Sequence, residues 1–466
     1  MSRESESPRR GAASLRARAR PPRVFLGLVE IAGYYTALER GLREIGIRAT
    51  AVDLDEHRFR YGAGTHRPPI MARPAIAARR RLATRRNSVV ARMLSRGARL
   101  ILMAWALWRF DVFVLASGES FFRSRDLPLL KRLGKRIVVV FHGSDLRPPY
   151  MDGPTMGGDS SLSIRGCAER AAIQKARIRE IERHADWIVS HPPLSHFLET
   201  PYVRFLALGV PVLDLPPAPP PPPAGRVPVR ILHSPSDPEA KGTRWIREAV
   251  ERITAEGVPL EYVEVIGRPH ADVLEELTRA DLVIDQLYSD TPMATFAAEA
   301  ASFGRPVIVG SCDWEEIARV VPVPEAAPVR TCAPAEVADA IRELATDAAA
   351  RRALGARART FAVDRCAPRR VAERFMAVID GQIPEDWFAD PVDVRHRCGA
   401  CLPATRVRTV IAELVASHGR PALQLEDKPE LAARLVDWAG EASSVAGPGT
   451  SGPGSPGPGP ADSARR

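Results

Sequence analysis

Ten residues near the middle of the chain, Leu215-Pro-Pro-Ala-Pro-Pro-Pro-Pro-Pro-Ala224, forbid any helix or central strand from passing through them. Proline fixes φ and has no N–H to give to a helical turn or a strand ladder, so the run is a semi-rigid polyproline spacer. Everything else must fold on one side of it or the other. The 466 residues are also too many for one core, because single cores stop growing at roughly 250–300 residues. Two domains joined over residues 213–226 follow.

The same alternation appears on both sides of the prolines. Residues 24–29 read as a short buried strand, Gly33 marks a turn, and 35–45 has helical spacing in Leu38, Leu42 and Ile45. Residues 48–54 read as a second strand, which completes a βαβ unit with a right-handed crossover. Further strands are expected at Val112–Ala116, 136–141 and Trp187–Ser190. Beyond the spacer, strands at 229–233, 260–265, 282–285 and 306–309 alternate with helices at 243–255, 271–278 and 294–303. Helices at 336–345 and 369–380 follow. Short apolar strands separated by helices make a parallel, doubly wound sheet. The expected layout is a disordered basic tail (1–21), a first domain (22–212), the linker (213–226), a second domain (227–382), a helical extension (383–440) and a disordered Gly/Pro/Ser tail (441–466).

Composition excludes several classes. With 45% hydrophobic and 26% charged residues, the chain is of the soluble globular kind. Its most apolar stretch, residues 100–108, is about half of the ~20 residues that a spanning helix needs. The N-terminus lacks an apolar run with a cleavage site, so cytoplasmic residence is expected. Six cysteines, at 167, 312, 332, 366, 398 and 401, show no disulfide framework. Cys398 and Cys401 form one CxxC beside His396, but a zinc site wants a fourth ligand at matching spacing. Ordinary thiols and no metal are the simpler expectation.

The net charge of +10 is concentrated. Residues 72–109 hold ten arginines and no acid, and residues 1–20 hold six arginines against two glutamates. Val90, Leu94, Leu100, Ile101 and Trp105 could form an apolar stripe flanked by Arg92, Arg96 and Arg99. A cationic amphipathic helix of this kind suits the surface of an anionic membrane, so residues 79–109 point to a peripheral position on the inner face of the cell membrane. A basic helix packed on the first sheet, or a phosphate-rich acceptor surface, would use the same pattern. No nucleic-acid recognition motif accompanies the charge.

The chemistry gathers in the second half. After the strand ending near Asp285, a loop leads to Ala294 and Thr295, which open a helix. Unpaired N–H groups at a helix N-terminus attract anions, each favourable contact contributing roughly 0.3–2 kcal/mol. Glu299, about one turn on, is placed to accept hydrogen bonds from vicinal hydroxyls such as a ribose presents. Lys241, in Ser234-Pro-Ser-Asp-Pro-Glu-Ala-Lys241-Gly-Thr, lies between the first strand and first helix of this half, as a mobile charge for phosphate. Lysine, helix N-terminus and carboxylate together describe a nucleoside-diphosphate site.

At these residues the chain resembles the family-four glycosyltransferases of GT-B fold, over about residues 23–380. The resemblance rests on Lys241-Gly and on Phe296-Ala-Ala-Glu299-Ala-Ala-x-x-Gly-x-Pro-Val-Ile in the second half. In the first half it rests on Gly33, on Asp126-Leu-Pro-Leu-Leu-Lys-Arg-Leu-Gly-Lys-Arg, and on Phe141-His-Gly-Ser-Asp145. It implies two Rossmann-like domains facing a cleft, the first for a carbohydrate or lipid-linked acceptor and the second for a UDP- or GDP-linked sugar donor. It further implies metal-independent transfer with retention, Lys241 on the diphosphate, Glu299 on the ribose, and His142 approaching the sugar from the opposite domain. Gly33, Ala294 and Thr295 would border the donor. The chain departs from the pattern in three places. Thr291 stands where the family often has a sugar-contacting glutamate, Ala294 replaces a glycine, and Arg244 or Arg268 would substitute for an arginine that usually precedes the lysine. A catalytically silent GT-B partner protein and a nucleotide-sugar epimerase are the alternative expectations.

Overall fold

The computed structural model describes residues 20–55, 68–84, 88–156, 162–213, 215–216, 227–398 and 402–445. Cys401 and most of the two expected tails and the polyproline run lie outside them.

The first half runs β1 (Arg23–Leu28), α1 (Tyr34–Glu44), β2 (Arg48–Asp53), α2 (Arg73–Thr84), α3 (Val89–Arg109), β3 (Val112–Ala116), β4 (Arg136–Val140), α4 (Ile164–His184), β5 (Trp187–Ser190) and β6 (Tyr202–Arg204). The second runs β7 (Val229–His233), α5 (Thr243–Ala255), β8 (Leu260–Glu264), α6 (His270–Arg279), β9 (Leu282–Ile284), α7 (Thr295–Ser302), β10 (Val307–Gly310), β11 (Arg330–Cys332) and α8 (Val337–Thr346). The chain then continues through α9 (Pro368–Asp380), β12 (Phe388–Ala389), α10 (Ala404–His418) and α11 (Pro429–Val445). Helices also join several of these elements.

The strands form two sheets, ordered β12-β6-β5-β4-β3-β1-β2 and β11-β10-β9-β7-β8. Every pairing is parallel except β12 on β6. β3 (Val-Phe-Val-Leu-Ala) is buried along its whole length and β4 along all but its first residue, as expected for strands covered on both faces. In each sheet the order reverses beside the first strand. β1 has β2 on one side and β3 on the other, and β7 has β8 and β9. Such a reversal opens a crevice beyond the strands' carboxyl ends, so topology marks the loops after β7 and β9 as a place for a ligand.

Three apolar clusters hold the molecule together. One fills a face of the second sheet under α5 and α8. Another packs α10 and α11 onto the first sheet, around Phe25, Phe113 and Tyr150. The third runs unbroken from Val24, Val112 and Val138 in the first sheet to Leu232, Val283 and Val307 in the second, by way of α9. α9 lies against α1 so closely that a Cβ on Gly41 would stand 2.0 Å from the Pro368 carbonyl oxygen. Arg374 Nε donates to the Leu208 carbonyl at 2.9 Å, and β12 then extends the first sheet. Buried Lys175 on α4 reaches Asp427 at 3.0 Å, and the Tyr150 hydroxyl donates to the Leu423 carbonyl at 3.0 Å, which seats the C-terminal helices on the first domain.

Two glycine-to-alanine substitutions should move in opposite directions. Alanine in a helix ordinarily gains about 0.5–1 kcal/mol over glycine. Gly97 in α3 has open space at its Cβ position and should show that gain. Gly41→Ala should instead lose about 1–3 kcal/mol, because backbone occupies the space. Urea unfolding of both variants measures the difference, and an unchanged Gly41→Ala would mean that α1 and α9 do not touch in solution.

Candidate functional site

The second domain builds its site on three adjacent strand ends. After β7, the Asp237 side chain accepts from the Ala240 N–H at 3.0 Å and starts a single turn that ends at Lys241. Gly242 then takes a left-handed conformation (φ 74°), with Leu287 3.1 Å from its Cβ position, so a side chain there would be strained and crowded. The Leu287 N–H donates to the Lys241 carbonyl at 3.1 Å. The loops after β7 and β9 are thus bonded to one another. The Lys241 ammonium donates to the Gln286 amide oxygen, and buried Asp285 has one carboxylate oxygen without a partner. Burial pushes the Asp285 carboxyl up from its ordinary value, while Lys241 pulls it back.

Beneath this edge lies His233, whose pKa burial lowers to about 4. Its Nδ1 is 2.8 Å from the Ile284 carbonyl and its Nε2 is 2.9 Å from the Thr243 hydroxyl. A carbonyl only accepts, so in the neutral ring Nδ1 carries the proton and Nε2 accepts from Thr243. His233 therefore ties β7 to β9 and to the start of α5.

The N-terminus of α7 is open. Ala294 precedes Thr295 with no side-chain cap, and the first turn holds no acid. The corresponding end of α1, at the Gly33 turn, is filled. There the Glu30 carboxylate accepts from the N–H groups of Ile31 (2.8 Å), Tyr35 (3.1 Å) and Thr36 (2.9 Å), and from the Thr36 hydroxyl (2.7 Å). Of the two helix ends expected beside a donor, α1 already carries its own anion and α7 does not.

Glu299 is buried, and its Oε1 lies 2.7 Å from Nε2 of His270, the first residue of α6 after β8. The histidine fixes one carboxylate oxygen and leaves the other to be directed. Arg268 and Arg244 are placed differently. Arg268 pairs with Asp272 at 2.8 Å, and Arg244 pairs with Glu248 at 2.9 Å while lying over the Trp245 ring; both are surface side chains, 65% and 77% exposed. Thr291 turns into its own loop, its hydroxyl 3.3 Å from the Met293 carbonyl and amide.

Across from this edge, His142 lies in the loop that follows β4. Its Nε2 lies 2.8 Å from the Tyr35 hydroxyl, and its ring is surrounded by Tyr34, Tyr35 and Phe205 at centroid distances of 5.1, 5.7 and 5.3 Å. Burial holds the His142 pKa down at about 3. The Asp145 carboxylate accepts from the N–H groups of His142 (3.1 Å) and Gly143 (2.6 Å), which fixes the loop. On the same loop, buried Arg147 donates to Asp152 at 2.7 Å and to Asp290 of the second domain. His396 closes the group, with Nε2 3.2 Å from Asp290 and Nδ1 3.4 Å from Asp313. Burial alone would raise the Asp290 carboxyl; Arg147 and His396 outweigh it and hold the group at about 2.

Sequence patterns assign no functional role to Tyr35, Arg147, His270 or Asp290, and they mark His396 only by its place beside the CxxC. The signal for His270 and Arg147 was their place in the connections that follow strands, His270 at the start of α6 and Arg147 in the loop after β4, but their partners lie 29 and 143 residues away.

Arg147 and Asp290 both follow strand ends, so the carboxyl edges of the two sheets face one another. Two doubly wound, Rossmann-like domains set in this way make the GT-B fold. No protein-family model matches the chain, and no curated protein matches it in sequence. Among solved structures it is similar to the glycosyltransferase SnogD from Streptomyces nogalater (16% identity, 77% of this chain and 100% of that one, TM-score 0.39). It is also similar to Anabaena Alr3699/HepE in complex with UDP-glucose (12% identity, 77% and 99%, TM-score 0.45) and to Methanocaldococcus jannaschii UDP-GlcNAc 2-epimerase in complex with UDP-GlcNAc and UDP (12% identity, 70% and 92%, TM-score 0.31). At such identities and scores the function has to come from the residues of this chain.

A pH effect follows from the buried histidines. His191, which stacks on Phe205 at 4.2 Å, has its pKa lowered to about 3, first by burial and then by His142. Its folded pKa lies below the unfolded value, so as pH falls below about 6.5 the unfolded chain takes up a proton that the folded chain refuses, and stability is lost. His191→Phe removes that loss. Relative to the parent, the variant should gain roughly 2 kcal/mol more at pH 5 than at pH 7. Urea titrations at both pH values measure it, and a pH-independent difference would contradict the burial of His191.

Proposed function

We propose that the protein is a glycosyltransferase that moves a sugar from a nucleoside-diphosphate donor, UDP- or GDP-linked, to a hydroxyl of a carbohydrate or lipid-linked acceptor. One observation carries the reading. The uncapped N-terminus of α7 lies on the same strand-end edge as Lys241, at the switch point of the second sheet, with Glu299 one turn further in. A diphosphate fits the helix end and the ammonium, and the vicinal hydroxyls of a ribose fit the carboxylate that His270 orients.

The mechanism in this reading is electrostatic. As the bond from the anomeric carbon to the diphosphate oxygen breaks, negative charge grows on the leaving group, and Lys241 and the α7 amides stabilise it. No metal is assigned to that task. We infer retention: the acceptor oxygen bonds to the anomeric carbon on the face the diphosphate is leaving, and its proton passes to a departing phosphate oxygen. In this reading His142, neutral at physiological pH and held by Tyr35, hydrogen-bonds the sugar from the opposing domain. Gly33 serves as the turn that positions Tyr35 rather than as an anion site, since Glu30 occupies its helix end.

A second reading, a catalytically silent GT-B partner protein, has one observation in its favour. Asp290, the carboxylate beside Thr291, is committed to Arg147 and His396, so it does not replace a sugar-contacting glutamate.

Thermal unfolding with UDP, GDP or ADP should single out one stabilising nucleotide, worth ~2.7 kcal/mol at a hundredfold excess over its dissociation constant. Lys241→Ala and Glu299→Ala should each abolish that stabilisation and sugar transfer while keeping the parent's nucleotide-free midpoint within a few degrees. Indifference to all three nucleotides would remove the donor site. Nucleotide binding without transfer or donor hydrolysis would favour the silent partner.

A further inference from the structure

The exposed apolar surface of the described molecule is concentrated in one stretch of the chain. Of the eighteen large hydrophobic residues that are exposed, nine fall between residues 70 and 108. On α3, Val90, Met93, Leu94, Leu100, Ile101 and Trp108 are all exposed. At 100° per residue they occupy one arc roughly 120° wide, completed by Gly97 and Ala104. The opposite side of the same helix is also apolar. Ala91, Leu102, Met103 and Ala106 are buried in the core of the first domain, and Trp105 lies edge-on to Phe110 at 5.2 Å.

The apolar stripe expected from the sequence is therefore divided. Trp105 turns inward, and Trp108, 77% exposed, takes its place on the outer face. Arg99 leaves the flank as well, its guanidinium donating to the Phe121 carbonyl at 3.3 Å. Arg92 and Arg96 remain exposed; Arg96 lies about 40° beyond one edge of the arc and Arg92 about 40° further round. No acidic residue occurs between 72 and 109, where there are ten arginines.

We propose that the outer face of α3 is a docking surface for an anionic lipid bilayer. A helix with only an inner apolar face would need no more than its own core. This one presents a second apolar face, six large side chains long, with exposed arginines on one side of it and no acidic residue on the helix itself. That combination matches a headgroup boundary, where aliphatic side chains enter the acyl region, guanidinium groups meet phosphates and a tryptophan sits between. Among the described residues no helix is long and apolar enough to cross a membrane, so the helix lies on the bilayer and does not span it. The proposal stands on this surface alone and does not depend on the transferase reading.

Flotation of the full chain with phosphatidylcholine vesicles, with and without phosphatidylglycerol, tests it. The protein should float with the anionic vesicles, and less of it as added salt shortens the Debye length below ~8 Å. The combined variant Leu94→Ser, Ile101→Ser and Trp108→Ser should lose at least tenfold in vesicle affinity with its thermal midpoint kept. Arg92→Gln with Arg96→Gln should weaken the preference for phosphatidylglycerol. Equal binding by the serine variant, or indifference to lipid charge, would overturn the proposal. So would a concentration-dependent dimer that the serine variant abolishes without any vesicle binding, because the occupant would then be a second copy. Nucleotide-induced stabilisation, measured on the serine variant, should equal the parent's, which keeps this test separate from that of the donor site.

Discussion

Asp290 is where the parts of this molecule meet. Its carboxylate is buried and shared between Arg147, on the loop after β4, and His396, which leads into the C-terminal helices. Arg147 is in turn anchored on Asp152, and the His396 carbonyl accepts from His196 at 2.7 Å. Burying these charges costs several kcal/mol per ion, and the arrangement persists because each charge meets an opposite one at hydrogen-bond distance. Removing one partner would leave an uncompensated buried charge, at a cost of about 3–5 kcal/mol. That asymmetry fixes how the β9–α7 loop sits relative to the first domain. The open end of α7 and the Thr291 turn both belong to this loop, so the relation between the two cleft edges is set by one ion-pair network.

The two helix ends in the cleft show how the same local geometry serves opposite purposes. α1 begins after Gly33 with its amides spent on Glu30, a carboxylate only a few residues upstream. α7 begins after Ala294 with no side chain in that place. An internal carboxylate makes a rigid cap; its absence leaves partial positive charge for a ligand. Burial makes a similar choice among the histidines. His142 and His191 are kept neutral in an aromatic setting with Tyr34, Tyr35 and Phe205, whereas His270 and His396 face carboxylates.

Local rules made much of the fold legible. The strands at Val112–Ala116 and Trp187–Ser190 and the alternation on both sides of the prolines follow from hydrophobic runs and turn residues, which act over a few neighbours. Lys241, Ala294, Thr295 and Glu299 were legible as candidates because each lies in or just after a connection from strand to helix, a place that local patterns mark. The stripe on α3 was legible as a composition and wrong in two details, Arg99, which turns to the Phe121 carbonyl, and Trp105. Trp105 and Trp108 are three residues apart, either could lie on the outer face, and contact with Phe110 draws Trp105 inward.

The sequence by itself therefore determined that the chain makes two parallel α/β units, and that Lys241 and the start of α7 lie at strand ends. Both depend on hydrophobic periodicity and on proline and glycine geometry, which need no distant partner. Only the tertiary structure decided that β7 and β9 are neighbours, that His270 holds Glu299, that Glu30 closes the α1 end, and that Arg147 and His396 share Asp290. Those are contacts between residues far apart in the chain or choices between equivalent faces. They are fixed by the burial of charge and by the packing of one element on another, and no local pattern encodes either.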